Sequence, residues 1–352
     1  MTESISSILR GLIQILIASL FSAIYCVPAS AANYEVLIDE IELNSVGADR
    51  SARGIIIQPE PSLPENSTNE VAVTPAIQPS QNLTITFIDV GQGDSILVIL
   101  PNTRTLLIDG GSRESSDKVL ATLRQYSLSR VDVMVATHPQ TDHIGGLIDI
   151  IKNLDIGQVL HSGRTRTAHQ SSADFLDAIE TKQIPLSSVR QGDSINLDPI
   201  VKIDVLNPPG NLTDALNNNS VVLRLTYCEF SALFTGDIGE PGEARLVSEN
   251  PTALDADVLK AGHHGNRTSS SSSFLNAVTP EVVVISLGEG WGYPEYEALE
   301  RISAAGTEHV FRTDLDGTIT LTANGSSSEY SIVTENNEKT VVDSPRSETM
   351  LC

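Results

Sequence analysis

The stretch from Ala136 to Gly146 reads ATHPQTDHIGG, with His138, Asp142 and His143 inside six positions. Imidazole nitrogen and carboxylate oxygen are the donors that suit Zn2+ and its first-row neighbours. Held at one place, they would bind a divalent ion able to lower the pKa of a water toward neutrality, the chemistry of metal-assisted hydrolysis. Gln140 interrupts the set: a neutral amide lends a cation little charge. The plainer reading of Asp142 is a helix N-cap.

Two later stretches add donors. SALFTGDIG brings Asp237 to the end of a hydrophobic run, and DVLKAGHHGNRTSSS brings His263 and His264 to the end of another. As ordinary loop histidines these two would be hydrogen-bonded surface groups. Their adjacency between Gly262 and Gly265, which leave room for an ion or substrate, favours a site.

These residues need rigid elements behind them. VDVMVATH has the texture of a buried strand ending at His138, and IGGLIDIIKNL that of a helix starting directly after His143, so both histidines are expected in one strand-to-helix loop. Before them, LTITFIDV, SILVILP and TLLIDGG read as strands and SSDKVLATLRQY as a helix. After them, VKIDVLNP, SVVLRLTY, SALFTGD, DVLKAGHHG and VVVISLG are strand-like, while SSADFLDAIETKQ, EPGEARLVS, SSSFLNAV and YEALERISAAG are helical. HVFRTDLDGTITLTANG predicts a hairpin around Asp316-Gly317. Strands in groups, with helices between the groups, predict an α/β (α+β) fold of two mixed sheets packed together with helices outside.

Composition bounds the rest. With 352 residues, 40% hydrophobic and 19% charged, the chain can bury a sizeable core. Asp and Glu outnumber Lys and Arg 45 to 22, a formal charge of −23, which argues against an extended surface for duplex nucleic acid. Residues 1–31 carry the apolar run LIQILIASLFSAIYCV followed by PASAA, read as a signal peptide removed after about Ala31, or alternatively as an N-terminal anchor. Residues 32–81 hold a short strand-like segment and a Pro/Ser-rich linker, residues 82–334 the main domain, and residues 335–352 a disordered tail. Cys228, in a strand-like run, and Cys352, at the end, suggest no disulfide framework.

FIDVGQGDSILV, LLIDGG, THPQTDHIGGL, NNNSVVLRL, LFTGD, LKAGHHGNRTS and FRTDLDGTI occur in an order that resembles the metallo-β-lactamase superfamily. They look most like the extracellular hydrolase domain of ComEC-type DNA-uptake proteins and its free-standing relatives. The resemblance implies an αββα sandwich with a metal site on one edge. It makes His138, Asp142 and His143 metal ligands, Asp237 a bridge between two ions, and one of His263 and His264 a further ligand, with Asp142 and Asp237 placed to serve catalysis. Asp94 and Asp109 would stand near the cleft, Asp109 orienting a ligand histidine, and Asn219 would sit at the site edge or simply in a turn.

The chain departs from that pattern at Gln140 and at Tyr293 and Tyr296, where relatives usually carry histidine or, at Gln140, also aspartate. No histidine clearly fills the third ligand block; His161 and His169 are the candidates, each more at home on the surface. The expectation is one or two divalent ions, Zn2+ or Mn2+, in an exported hydrolase acting on a small or single-stranded phosphodiester. The alternatives are a secreted binding module of the same fold, or a lactone or β-lactam hydrolase. Membrane proximity through the N-terminal segment is expected, and no obligate protein partner.

Overall fold

The computed structural model describes residues 82–343 except 166, 168, 251, 326, 327 and 337. The expected signal or anchor at 1–31 and the segment 32–81 lie outside the described residues. Short runs rich in β-branched and apolar residues form β1 (Asn82–Phe87), β2 (Ile96–Ile99) and β3 (Thr105–Ile108), followed by α1 (Ser116–Gln125), β4 (Arg130–Ala136), α2 (Thr141–Asn153), β5 (Asp155–His161), α3 (Gln170–Thr181) and β6 (Leu186–Ser188). The second half holds β7 (Val201–Asn207), β8 (Val222–Tyr227), β9 (Phe230–Phe234), α4 (Glu240–Glu249), β10 (Val258–Lys260), α5 (Ser272–Val278), β11 (Val282–Ile285), α6 (Tyr296–Ala304) and β12 (His309–Arg312). It closes with the single turn α7 (Thr313–Asp316), then β13 (Ile319–Asn324), β14 (Glu329–Thr334) and β15 (Lys339–Asp343).

Two mixed sheets result. One runs β15-β14-β13-β1-β2-β3-β4-β5-β6 and the other β12-β11-β10-β9-β8-β7. Strands β3 to β6 are parallel, as are β9 to β12 in the smaller sheet. The alternation of β1 explains the packing: Leu83, Ile85 and Phe87 are fully buried between the sheets. Phe87 meets Phe234 of the opposite sheet with ring centroids 6.3 Å apart.

Helices cover both outer faces. In α2, Ile144, Leu147, Ile148 and Ile151 recur at helical spacing and pack with Leu123 and Phe175 against the larger sheet. Leu246, Phe274, Leu275 and Ile302 do the same for the smaller one. The order helix, sheet, sheet, helix is the expected αββα sandwich, and it brings the carboxyl ends of β4, β9 and β10 to the residues that follow them.

Four expectations are corrected. The first turn of α2 already contains Asp142 and His143, and Gln140 occupies the N-cap position, so Asp142 is not the cap. Asp316-Gly317 makes no hairpin: β12 pairs with β11 in one sheet and β13 with β1 in the other. The Asp316 carboxylate accepts from the Arg312 amide at 2.7 Å, and Gly317 has φ 67°, so the turn hands the chain from one sheet to the other. Residues 339–343 are not tail but β15, paired antiparallel with β14 and burying Val342. Cys228 sits in the two-residue turn between β8 and β9 and is disulfide-bonded.

Candidate metal centre

Three strand ends supply the donors. After β4 the chain passes through Thr137 and His138 into α2; after β9 it reaches Asp237; after β10 it reaches His263 and His264. Parallel pairing of Phe234 with Lys260 places the last two exits side by side. The Val221 amide donates to the Thr137 carbonyl at 2.9 Å, tying the two sheets together at this rim.

Asp142, His143, Asp237 and His264 converge, each offering a ligand atom within 4.8 Å of the others. His143 Nε2 lies 3.2 Å from Asp237 Oδ2, and His264 Nε2 lies 3.4 Å from it and 3.5 Å from Asp142 Oδ2. These atoms are near one another, yet His143 Nε2, His264 Nε2 and both Asp237 oxygens are buried without a hydrogen-bond partner. Buried polar atoms are nearly always satisfied. Two nitrogens and two carboxylates aimed at a common point therefore fit a divalent cation, whose charge and coordination would satisfy them.

The surrounding residues orient this set. Asp109, at φ 56°, accepts from the Thr137 amide at 2.8 Å and its hydroxyl at 2.6 Å, and takes His143 Nδ1 at 2.7 Å. That bond turns Nε2 toward Asp237. His264 is held the same way, donating from Nδ1 to the Ser286 carbonyl at 2.8 Å. Its backbone, and that of His263, has positive φ, 55° and 48°, an unusual conformation outside glycine. Gly93 is required by close approach: a Cβ there would stand 2.0 Å from the Asp142 carbonyl oxygen. Next to it, Asp94 ion-pairs with the wholly buried Lys260 at 3.0 Å and lies 3.5 Å from His264 Nδ1.

Electrostatics follow from this crowding. Burial opposes charge on His143 and His264, but Asp237 beside both, helped by Asp109 at His143 and Asp142 at His264, outweighs it. His143 is raised well above the ordinary imidazole value and His264 to about 9. The two carboxyls are lowered despite burial, by His143 and His264 at Asp237 and by His264 and then His143 at Asp142. His138 goes the other way, lowered by burial and by the neighbouring His143.

A family model for the metallo-beta-lactamase superfamily matches residues 88–289. The chain belongs to the metallo-beta-lactamase superfamily. It is 28% identical over 254 residues to ComE operon protein 3 of Bacillus subtilis (strain 168), covering 67% of this chain and 32% of that protein. It is 29% identical over 251 residues to competence protein ComA of Neisseria gonorrhoeae, covering 71% and 33%. The chain thus spans about a third of the length of these curated relatives. Among solved structures it is similar to CmlA, a diiron beta-hydroxylase from Streptomyces venezuelae, with TM-score 0.45, 14% identity, and coverage of 70% of this chain and 55% of that one.

Within this superfamily member, the anticipated residues divide. Asp142, His143, Asp237 and His264 form the converging group; of the two late histidines, His264 joins it. His263 is partly exposed, with Nε2 4.0 Å from Asp237 Oδ2 and 3.4 Å from Asn217 Nδ2. His138 stays outside the group, its Nε2 2.8 Å from Gln140 Oε1 and 3.7 Å from Asp237 Oδ2. His161 accepts the Gly163 amide at Nδ1, and His169 occupies the N-cap position of α3 without a side-chain capping bond. Asn219 lies in the turn before β8 and braces its own loop: its amide donates to the carbonyls of Thr213 and Ala215, and its oxygen accepts from the Thr213 amide. Tyr293 lies beside His263 and His264 with its ring tilted to both, centroids 6.2 and 6.4 Å away, while Tyr296 is exposed.

Sequence reading missed Lys260, Asn217 and the Ser286 carbonyl. A lysine inside the apolar run DVLKAG was the available signal for the first, since a buried lysine demands a partner; nothing in the sequence marked the carbonyl.

Proposed function

We propose that this protein is an exported metal-dependent hydrolase that cleaves phosphodiesters in small or single-stranded substrates, an activity of the ComEC type. The observation that carries the reading is the convergence of Asp142, His143, Asp237 and His264, with His143 Nε2, His264 Nε2 and both Asp237 oxygens buried and without a hydrogen-bond partner and the Asp142 carboxylate part-exposed beside them. A divalent ion there, Zn2+ or Mn2+, would supply Lewis acidity and an activated water. The chain's own part is to hold those donors rigid through Asp109 and Ser286, to keep the His143 and His264 nitrogens directed at the ion, and to leave a carboxylate oxygen of Asp142 or Asp237 free to orient the attacking water.

The similarity to competence proteins supports a phosphodiester over a lactone or β-lactam. Net charge of −23 fits weak binding of extended duplex. Trp291 and Tyr296, 65% and 73% exposed, flank Tyr293 in the segment that packs beside the late histidines, and exposed aromatics suit stacking on unpaired bases. The N-terminal apolar run and a disulfide at Cys228 fit an oxidising compartment outside the cytoplasm. Among the described residues no helix is long and apolar enough to cross a membrane.

The pairing of His138 with Gln140 and the tyrosine beside the late histidines favour one rival, a secreted binding module of the same fold without turnover. Metal-stripped protein assayed on bis(p-nitrophenyl) phosphate and a single-stranded oligonucleotide, with Mn2+ or Zn2+ restored, separates the two. Turnover only with metal supports the hydrolase; metal-replete protein inert on phosphodiester, lactone and β-lactam panels leaves the binding module.

A further inference from the structure

His138 emerges from β4 with its ring 4.1 Å, centroid to centroid, from that of His143, close enough to share a dinuclear centre. Its hydrogen bonds point elsewhere. Thr137 has one hydroxyl proton, and at 2.6 Å the Asp109 carboxylate takes it. His138 Nδ1, 3.1 Å from the same hydroxyl oxygen, must then donate its own proton to Thr137. On the far side of the ring, the Gln140 amide stands 2.8 Å from Nε2. An amide can present its NH2 to a lone pair or its oxygen to an N–H, because its two ends exchange places without moving the group. In either protonation state Nε2 is satisfied with no cation present.

The contrast inside one site is sharp: Nε2 of His143, Nε2 of His264 and both oxygens of Asp237 are buried and unsatisfied, whereas no atom of His138 is among them. A second group of clustered donors, Asp94, Asp109 and His143, is spent within the protein: Asp94 pairs with Lys260 at 3.0 Å, and Asp109 takes the Thr137 amide and hydroxyl and His143 Nδ1. His161 Nδ1 accepts the Gly163 amide at 2.9 Å, and His263 Nε2 has Asn217 at 3.4 Å. Gln140 occupies the N-cap position of α2, whose first turn carries Asp142 and His143, and its side chain makes no capping bond, which leaves the amide to His138.

We propose that this centre takes one divalent ion, held by Asp142, His143, Asp237 and His264, and that the Gln140–His138 pair closes the neighbouring position to a second. The proposal rests on the metal-dependent reading above and narrows it. It removes His138 from the ligand set that the family resemblance implied, and it assigns Gln140 the part of a plug instead of a weak donor. Water activation then depends on a single ion flanked by an amide.

The test is ion counting on the full chain. Metal-stripped protein is titrated with Zn2+ and, separately, Mn2+, by calorimetry and by elemental analysis after gel filtration. One ion per chain is expected for the native protein, with His138→Ala still binding one ion within about 3-fold of native affinity, since a residue that donates nothing to the ion costs little when removed. Gln140→His, which frees His138 and adds an imidazole, is expected to bind two. Two ions on the native chain, loss of the ion in His138→Ala, or a single ion in Gln140→His would each overturn the proposal, and the native count needs no variant to fold. Two ions with phosphodiester turnover would leave the hydrolase reading standing without this one. One ion with no turnover would do the reverse, and no ion at all would end both.

Discussion

His143 Nδ1 lies 2.7 Å from Asp109 Oδ2, and the same carboxylate takes both the amide and the hydroxyl of Thr137. The residue beginning the metal-side exit of β4 and the histidine in the first turn of α2 are thus pinned to one buried carboxylate at the end of β3. Removing it frees the ring of His143 to rotate. Asp109→Ala is expected to weaken Zn2+ binding by about 10- to 100-fold, the usual cost of losing an outer partner of a ligating histidine. Competition titration against a chromophoric chelator measures it; unchanged affinity would mean that His143 is held by packing alone.

Asp142 offers its carboxylate directly to the shared point, with Oδ2 3.5 Å from His264 Nε2. Asp142→Ala deletes a charged donor, so both metal retention and hydrolysis should fall by more than the ~10- to 100-fold expected for Asp109→Ala. Metal content after dialysis and turnover on bis(p-nitrophenyl) phosphate report the two losses, which should move together.

Protons compete for the same atoms. His264 is raised to about 9 and His143 well above the ordinary value, Asp237 stabilising both charges against burial. A raised folded-state pKa adds stability that is full below the unfolded value of 6.5 and disappears as pH climbs through about 9. The metal-free protein should therefore lose melting temperature across that window. Asp142 and Asp237, both lowered, contribute in the opposite sense: their share is present above the unfolded value of 3.8 and fades as pH falls through their lower folded values. Ion binding near pH 7.5 should release protons, because both imidazoles must give up Nε2–H to ligate. Scanning calorimetry against pH and titration in buffers of differing ionisation enthalpy check the two statements; a flat melting profile or no proton release contradicts them.

Lys260 and Asp94 form an ion pair sealed from solvent. Lys260→Ala should destabilise the fold by ~3–5 kcal/mol by leaving a buried carboxylate uncompensated. Lys260→Met combined with Asp94→Asn removes both charges and should recover part of that loss. Denaturant unfolding of the single and double variants measures it, and equal destabilisation in both would assign the effect to packing instead of charge.

The exposed indole of Trp291 carries a prediction about substrate size. If bases stack there, Trp291→Ala should raise KM for a single-stranded oligonucleotide by ~10-fold, in the range of ~1–3 kcal/mol per stacked base. KM for a small chromogenic diester should stay within ~2-fold. Equal effects on both substrates would place the tryptophan elsewhere in the reaction.

Much of this architecture was readable from the chain because the strands are short apolar runs that end at the chemistry-bearing residues, as at Ala136, Phe234 and Lys260. The adjacency of Asp237 and His264 followed from motif order. The commitment of His138 to Gln140 did not, because it depends on which way a ring nitrogen faces, a property of tertiary placement. The hairpin expected at Asp316-Gly317 failed for a related reason: turn chemistry marks a reversal without saying which sheet receives the next strand. Likewise Val341 and Val342 lie in a polar stretch whose strand forms only because β14 offers an edge to pair with.

The most direct measurement of the central claim is anomalous scattering from crystals grown with Mn2+ or Zn2+. A single strong peak bounded by Asp142, His143, Asp237 and His264 is the predicted result. No peak there in protein soaked with excess ion, or a peak coordinated by other side chains, would contradict it.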